Sequence, residues 1–391
     1  LLALGFSPRV FGATLLASHF TGRIYTLSLD TTGSGNGSLS IISSATGCGA
    51  MPTWLTLDSA SGTLYCFDEE WTGSGFAATY TVGANGSLKQ TGQAPTTGSS
   101  VHGWPYGGTD GQGYLATVEY DPSTLTTYKL PLFRNTTRLA QQKFTMSAPG
   151  PNPDRQNAPH PHSVIPDPTG NFLLVPDLGA DLIRIFAIDA ASGNLNACPP
   201  AQAGAGDGPR HGAFWAPKEG DTKGLKLYTV NELSNSVSAW EVSYTPDSDA
   251  GSKPDCLSLT KTQTLSTYED KTPPANSKAA EVQVSGNYVY AANRNDQTFG
   301  PQEDSLVTYK IDPETGAIEW LEAVNAHGWY PRSFAINKEG TYVAVGGQTS
   351  SNVAVLARDP ATGKIGGLVA SVDVATKGTD GGEDGLSSVV W

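Results

Sequence analysis

One phrase recurs along the chain and limits what it can fold into. It reads as a short apolar strand, a turn rich in Asp or Gly, and a further strand. The copies are IYTLSLDTTG from residue 24, ATYTVGANGSL from 78, LTTYKL from 125, IRIFAIDAASGNL from 183, VSAWEV from 237, LVTYKIDPETGAI from 306 and VAVLARDPATGKI from 353. Their spacing of roughly 45–70 residues suits one four-stranded blade with variable loops. Two further strands precede each phrase. They read as PTWLTLDS with TLYCFDE, VHGWPYGG with YLATVE, PHSVIPDP with NFLLVPD, PRHGAFWAP with LKLYTVNE, AAEVQVSG with YVYAANR, and PRSFAIN with TYVAVGGQ. The seventh copy is split. The chain begins with TLLASHFTGRIYTL, which lacks an inner strand, and ends with GLSSVVW, which supplies one. The expected fold is all-β, a seven-bladed β-propeller in one domain over 1–391, closed by the two termini sharing a blade.

Superimposing the units exposes two polar rings. The second strands end at His19, Glu69, Glu119, Asp177, Glu232, Arg294 and Gln348. The first strands start at Thr53, His102, His162, Arg210, Ala280, Arg332 and Ser387, with Glu281 one place later in its unit. Adjacent antiparallel strands put the start of one beside the end of the other. Both rings therefore crowd one mouth of the central channel, and Arg210 and His211 are expected to face it together with Glu232 and Arg294. Carboxylates, imidazoles and guanidiniums converging in a partly desolvated funnel bind anionic ligands and shift one another's proton affinity. Trp71, Trp104, Tyr106 and Trp329 are placed near the same end, where an aromatic face can stack on a sugar.

A net charge of −13 with no basic run excludes a nucleic-acid partner. No apolar stretch is long enough to span a bilayer, so no membrane partner is expected. Residues 1–13, LLALGFSPRVFGA, read as the remnant of a secretory signal or a processed terminus. Sequons at Asn36, Asn85 and Asn135 agree with an extracellular protein. The four cysteines are even in number: Cys48 and Cys66 flank one strand pair, and Cys198 and Cys256 fall in outer segments of consecutive units. Two disulfides are expected, with connectivity open. The six histidines do not show zinc spacing, and there is no Gly-rich phosphate loop and no Gly-x-Ser-x-Gly elbow. No cofactor and no metal are expected; only the acidic ends Glu69, Glu119 and Asp177 leave a calcium site open.

The phrases PHSVIPDPTG, GDGPRHGAFWAP, LYTVNELSNSVSAWEV, AAEVQVSGNYVYAANR and YPRSFAINKEGTYVAVGGQ resemble the seven-bladed propeller lactonases. That family contains 6-phosphogluconolactonase and the fungal 3-carboxy-cis,cis-muconate lactonizing enzyme. The resemblance covers most of the chain and is clearest from about 158 to 359. It implies four catalytic residues, His162, Arg210, Glu232 and Arg294, all members of the two rings. Substrate contacts are expected from His211, Glu69, His102, Glu281, Arg332, Trp104 and Trp329. The stretch 131–160, the 243–278 insertion and the irregular third unit depart from the family pattern, and they border the mouth or the rim.

The expected activity is metal-independent hydrolysis of an aldono- or uronic-type sugar lactone outside the cell by a monomer, with Glu232 or His162 as base and the arginines on the oxyanion. Two alternatives use the same mouth. One is a carboxymuconate-type cycloisomerase, and the other is a propeller that binds a glycan or acidic ligand without chemistry.

Overall fold

The structure is a computed structural model that describes residues 13–32, 37–218, 220–244 and 255–391. Seven four-stranded antiparallel sheets surround a central channel. From channel to rim, the first blade is Leu386–Val390, Ala13–His19, Arg23–Asp30 and Ser38–Ala45. The second is Pro52–Asp58, Thr63–Asp68, Gly75–Val82 and Leu88–Thr96, and the third is Ser100–Tyr106, Tyr114–Glu119, Thr124–Lys129 and Ala140–Lys143. The fourth is Ile165–Pro166, Phe172–Asp177, Leu182–Ile188 and Leu195–Gln202, and the fifth is Pro209–Trp215, Lys226–Asn231, Ser236–Tyr244 and Leu257–Ser266. The sixth is Lys278–Val284, Tyr288–Arg294, Ser305–Ile311 and Ile318–Asn325, and the seventh is Pro331–Ile336, Tyr342–Gly347, Asn352–Arg358 and Ile365–Asp373. The split blade is as expected: the C-terminal strand pairs with Ala13–His19.

The recurring turn has a packing role. Asp189, Asp312 and Asp359 each accept a backbone N–H two residues on, from Ala191, Glu314 and Ala361. The N–H of Gly193, Gly316 and Gly363 closes each turn onto the carbonyl of that Asp. The glycine carbonyl then accepts a phenol from the preceding blade: Tyr106 to Gly193 at 2.6 Å, Tyr228 to Gly316 at 2.8 Å and Tyr290 to Gly363 at 2.7 Å. Tyr106 is thus a buried strut between blades and not a wall of the mouth.

Polar bonds also join neighbouring inner strands all the way round. Ser387 donates to the Pro52 carbonyl, Thr56 to Gly103, Ser163 to Arg210, Arg210 to Ala280 and Gln283 to Phe334. The two remaining junctions use backbone donors, Val164 N–H to His102 Nδ1 and Val389 N–H to Ser333 Oγ. The channel-facing edge of each sheet is covered in this way. Cys48–Cys66 joins the first and second blades, and Cys198–Cys256 joins the rims of the fourth and fifth. Asn85 and Asn135 are exposed in rim turns, while Asn36 and residues 1–12 lie outside the described residues.

Every inner strand carries one surplus residue at the same level. Pro209 pairs with Asn231 and His211 with Val230, leaving Arg210 extra. The same step leaves Thr53 extra in the second blade, Val101 in the third, Arg332 in the seventh and Ser387 in the first. In the fourth, Pro161 pairs with Asp177 and Ile165 with Leu174, so the surplus falls at His162. In the sixth, Ala279 pairs with Asn293 and Val282 with Ala291, and Ala280 takes the place of Arg210. Proline precedes the surplus residue in four blades, at 52, 161, 209 and 331, a ladder position where a missing N–H is tolerated. Such a bulge re-aims side chains. The surplus residue turns up into the mouth, and the next residue faces down the channel.

The turn glycine gives a stability test. Gly193 has φ +76°, and a Cβ there would sit 2.4 Å from the Tyr114 ring. Gly111 has the same φ with nothing within 4 Å. Gly193→Ala is expected to cost about 1–3 kcal/mol more than strain alone costs at Gly111→Ala. Urea unfolding of the two variants checks this.

Candidate active site

The upper chamber is a cavity of about 350 Å³ at the end of the channel where the inner strands begin. At its floor the surplus residues His162, Arg210 and Arg332 meet Glu69 and Glu232, which follow their second strands, and Arg294, which ends its own. Glu232 is the anchor. Its Oε2 is 3.0 Å from Arg210 Nε and 2.7 Å from Arg294 Nη2, and its Oε1 is 2.6 Å from Arg155 Nη2. Arg210, only 1% exposed, also donates through Nη1 to the Ala280 carbonyl at 2.8 Å. Among the described residues, its Nη2 makes no hydrogen bond. Arg294 stacks over Tyr330 at 5.2 Å, and the Tyr330 N–H donates to Asp304. Asp304 also accepts the N–H groups of Asn295, Asp296 and Gln297, which fixes the loop leaving Arg294.

A second ion-paired cluster stands across the mouth. Arg332 Nη2 contacts Glu69 Oε2 at 2.9 Å, Thr53 donates to the same oxygen at 2.5 Å, and Arg332 Nη1 reaches Glu383 at 3.2 Å. Glu69, Asp121, Glu232 and Glu383 thus face Arg155, Arg210, Lys278, Arg294 and Arg332, four acids against five fixed cations. In a chain with a large acid excess, this is a local cationic site.

The partners decide each proton affinity. Burial alone would raise the Glu232 carboxyl, but the guanidiniums of Arg155, Arg294 and Arg210 outweigh it and hold the group well below the usual range. Burial of Glu69 wins over Arg332, with Glu383 adding repulsion, and its carboxyl rises to about 7. His162 is held well below its ordinary value by burial and then by Arg210, so its imidazole is neutral. Burial and the Arg294 charge bring Arg210 down to about 9, which leaves it cationic at neutral pH.

The bulge separates residues that the sequence placed together. His162, Arg210, Glu232, Arg294, Glu69 and Arg332 do converge on the upper chamber, with Trp71 at its rim. His102, His211, Glu281 and Trp104 line a different cavity further down the channel. Val101, not His102, is the register equivalent of Arg210. Trp329 is half-buried and lines neither cavity. Among the strand ends, Tyr120 and Leu178 are the equivalents of Glu232. Glu119 and Asp177 come one place early and turn into their own sheets. Glu119 accepts Thr124 and Thr126, and Asp177 pairs with Arg184. His19, also one place early, bonds Thr21 beside it and Ser351 of the seventh blade. Glu69, Glu119 and Asp177 do not converge, and among the described residues no group of three or more His, Cys, Asp or Glu is arranged to hold a metal.

Sequence reasoning missed Arg155, Tyr120, Lys278, Tyr330 and Glu383. Arg155 had a signal: it is the sole Lys or Arg between Lys143 and Arg184, inside the long loop flagged as bordering the mouth.

The family described as "Lactonase, 7-bladed beta-propeller" matches residues 14–379. A relative from Arthroderma benhamiae, named "Probable 6-phosphogluconolactonase", is 34% identical over 318 residues, covering 80% of this chain and 75% of its own. The structure of the Pseudomonas aeruginosa periplasmic gluconolactonase PpgL superposes with a TM-score of 0.75 at 25% identity, covering 94% of this chain and 97% of that one. A protein from Lactobacillus plantarum superposes at 0.76 with 21% identity over 96% and 98% of the two chains, which speaks for the fold alone.

Two stability tests follow from the burial. Removing Glu232 leaves buried guanidiniums uncompensated, so Glu232→Ala is expected to cost about 3–5 kcal/mol. Arg155 is 29% exposed and its partner keeps two other cations, so Arg155→Ala is expected to cost no more than about 1 kcal/mol. Urea midpoints compare them. Burial of Glu119 outweighs the Thr124 and Thr126 hydrogen bonds and the Arg138 charge, and its carboxyl is raised from 4.5 to about 8. The folded state holds that proton more tightly than the unfolded chain, so this group makes stability fall as pH rises from about 4.5 to 8. Glu119→Gln is expected to flatten that fall in urea midpoints taken from pH 5 to 8.5.

Proposed function

Because the chain belongs to the seven-bladed β-propeller lactonase family, and is a lactonase, we propose that its upper chamber hydrolyses a sugar lactone of the aldono- or uronic-acid type. The observation that carries this is the Glu232 carboxylate ringed by three guanidiniums. Pinned so low, Glu232 is a poor base and a good anchor. It holds Arg210 and Arg294 at one spot with N–H groups to spare, where they bind the lactone carbonyl oxygen and the charge that develops on it.

Glu69 has the proton affinity suited to a base at neutral pH. It takes a proton from water as the water oxygen attacks the carbonyl carbon. The ring C–O bond then breaks, and Glu69 returns the proton to the departing ring oxygen, giving the open hydroxy acid. His162, neutral and with no partner at Nδ1, orients the water without adding charge. The five fixed cations favour a lactone that also carries a carboxylate or phosphate, and Trp71 at the rim offers a flat face to a sugar ring. The reaction needs no metal ion in this scheme. The two disulfides and the exposed sequons at Asn85 and Asn135 support an extracellular setting.

A pH-stat assay on glucono-1,5-lactone, 6-phosphoglucono-1,5-lactone and glucaro-1,4-lactone tests the reading. Turnover unchanged by EDTA is expected, faster on the anionic lactones. Arg294→Ala is expected to lower kcat/KM by about a hundredfold or more, about 3 kcal/mol of barrier. The kcat/KM profile is expected to rise through about pH 7 as Glu69 ionises and to lose that limb in Glu69→Gln. No turnover on any of the three, or wild-type rates in Arg294→Ala, contradicts the proposal.

A further inference from the structure

Below the floor of the upper chamber lies a second cavity, of about 400 Å³, enclosed by the lower parts of the inner strands. Its walls are apolar, formed by Val164, Ile165, Phe214, Val282 and Val284, with Trp104 at the edge and 40% exposed. Its roof is a packed layer of rings. Trp54 lies 4.7 Å from His102 and 4.8 Å from His211, and the two imidazoles are 5.2 Å apart.

The hydrogen bonds fix where the protons sit. The Val164 N–H donates to His102 Nδ1, so the His102 proton is on Nε2. Arg210 Nη1 stands 3.4 Å from His211 Nε2 and can only donate. His211 therefore carries its proton on Nδ1 and donates it to Glu281 Oε2 at 2.8 Å. Burial and Arg210 keep both imidazoles neutral, with His102 down to about 3. Glu281 has only this neutral imidazole as a side-chain partner, and burial raises its carboxyl to about 8. Oε2 accepts His211, so the protonated carboxyl carries its proton on Oε1. Among the described residues, neither His102 Nε2–H nor Glu281 Oε1–H donates to a protein acceptor, and both residues line the lower cavity.

We propose that this lower cavity is a second ligand site, distinct from the reaction chamber, for a small uncharged planar ring compound bearing an acceptor oxygen, such as an aromatic carbonyl or aromatic lactone, which His102 and Glu281 hold. A buried donor without an acceptor is costly, and a ligand oxygen repairs two at once. The apolar walls reject an ion, whose hydration would be lost, and accept a ring. The volume lies within the range of small-molecule pockets. Trp104, nearly parallel to His102 at 12°, extends the aromatic surface toward the opening.

Coumarin is a suitable probe, titrated calorimetrically into the intact protein. Saturable 1:1 binding is expected at pH 7. Val284→Phe fills the cavity and His102→Phe removes a donor while keeping a ring; each is expected to weaken binding at least tenfold. Arg294→Ala, in the upper chamber, is expected to leave it unchanged. Glu281 is faced by His211, with His102 and Arg210 nearby; both imidazoles stay neutral, and Arg210, brought down to about 9, loses its proton after Glu281, which does so near pH 8. Binding is therefore expected to weaken between pH 7 and 9, and to hold at pH 9 in Glu281→Gln, whose amide still donates. No saturable binding to the folded wild-type protein overturns the proposal. So does binding that survives Val284→Phe and His102→Phe, or binding lost in Arg294→Ala.

Discussion

The one-residue bulge at the head of every inner strand is the constraint on which the site depends. An unbroken antiparallel ladder alternates its side chains between two faces, so neighbouring residues such as Arg210 and His211 could not both face the axis. The surplus residue breaks that alternation once, at one level, in all seven blades. Arg210 then turns up to Glu232 while His211 turns down to Glu281. The channel is divided by this layer into a charged upper chamber and a largely apolar lower one.

Four buried carboxylates show how partner count sets chemistry. Glu232 has three guanidiniums and stays ionised far below the ordinary range. Glu69 has one, Arg332, which also serves Glu383, and it sits near neutrality. Glu281 and Glu119 have none in contact and keep their protons to about 8. Burial is similar throughout, so the difference lies in the arginines. One fold thereby holds a fixed anion, a titrating group and two neutral hydrogen-bond donors within a single channel wall and its sheets.

Much of this was legible in the chain. The repeated turn phrase marked the blades because Asp and Gly are required by a turn that accepts the preceding blade's tyrosine. The split first blade followed from the orphan strand GLSSVVW. His162, Arg210, Glu232, Arg294, Glu69 and Arg332 were placed on the right end because ring position depends only on which strand terminus a residue occupies. The placement failed where one residue matters. His102, Glu119 and Asp177 each differ by a single position from the true ring members, and a shift of one reverses the face. Nothing in the local sequence distinguishes an inserted bulge residue from an ordinary strand residue, apart from the proline at 52, 161, 209 and 331. Arg155 escaped because a loop, unlike a strand, does not declare its direction through periodicity.

The central claim is that the guanidiniums gathered by Glu232 mark the place where the lactone carbonyl is bound. A crystal structure with a bound hydroxy acid product, such as gluconate or glucarate, tests it most directly. The product carboxylate is expected in the upper chamber, in hydrogen-bond contact with Arg210 Nη2 and Arg294 and within reach of Glu69 and His162. Product bound only outside that chamber, with these guanidiniums contacting protein alone, contradicts it.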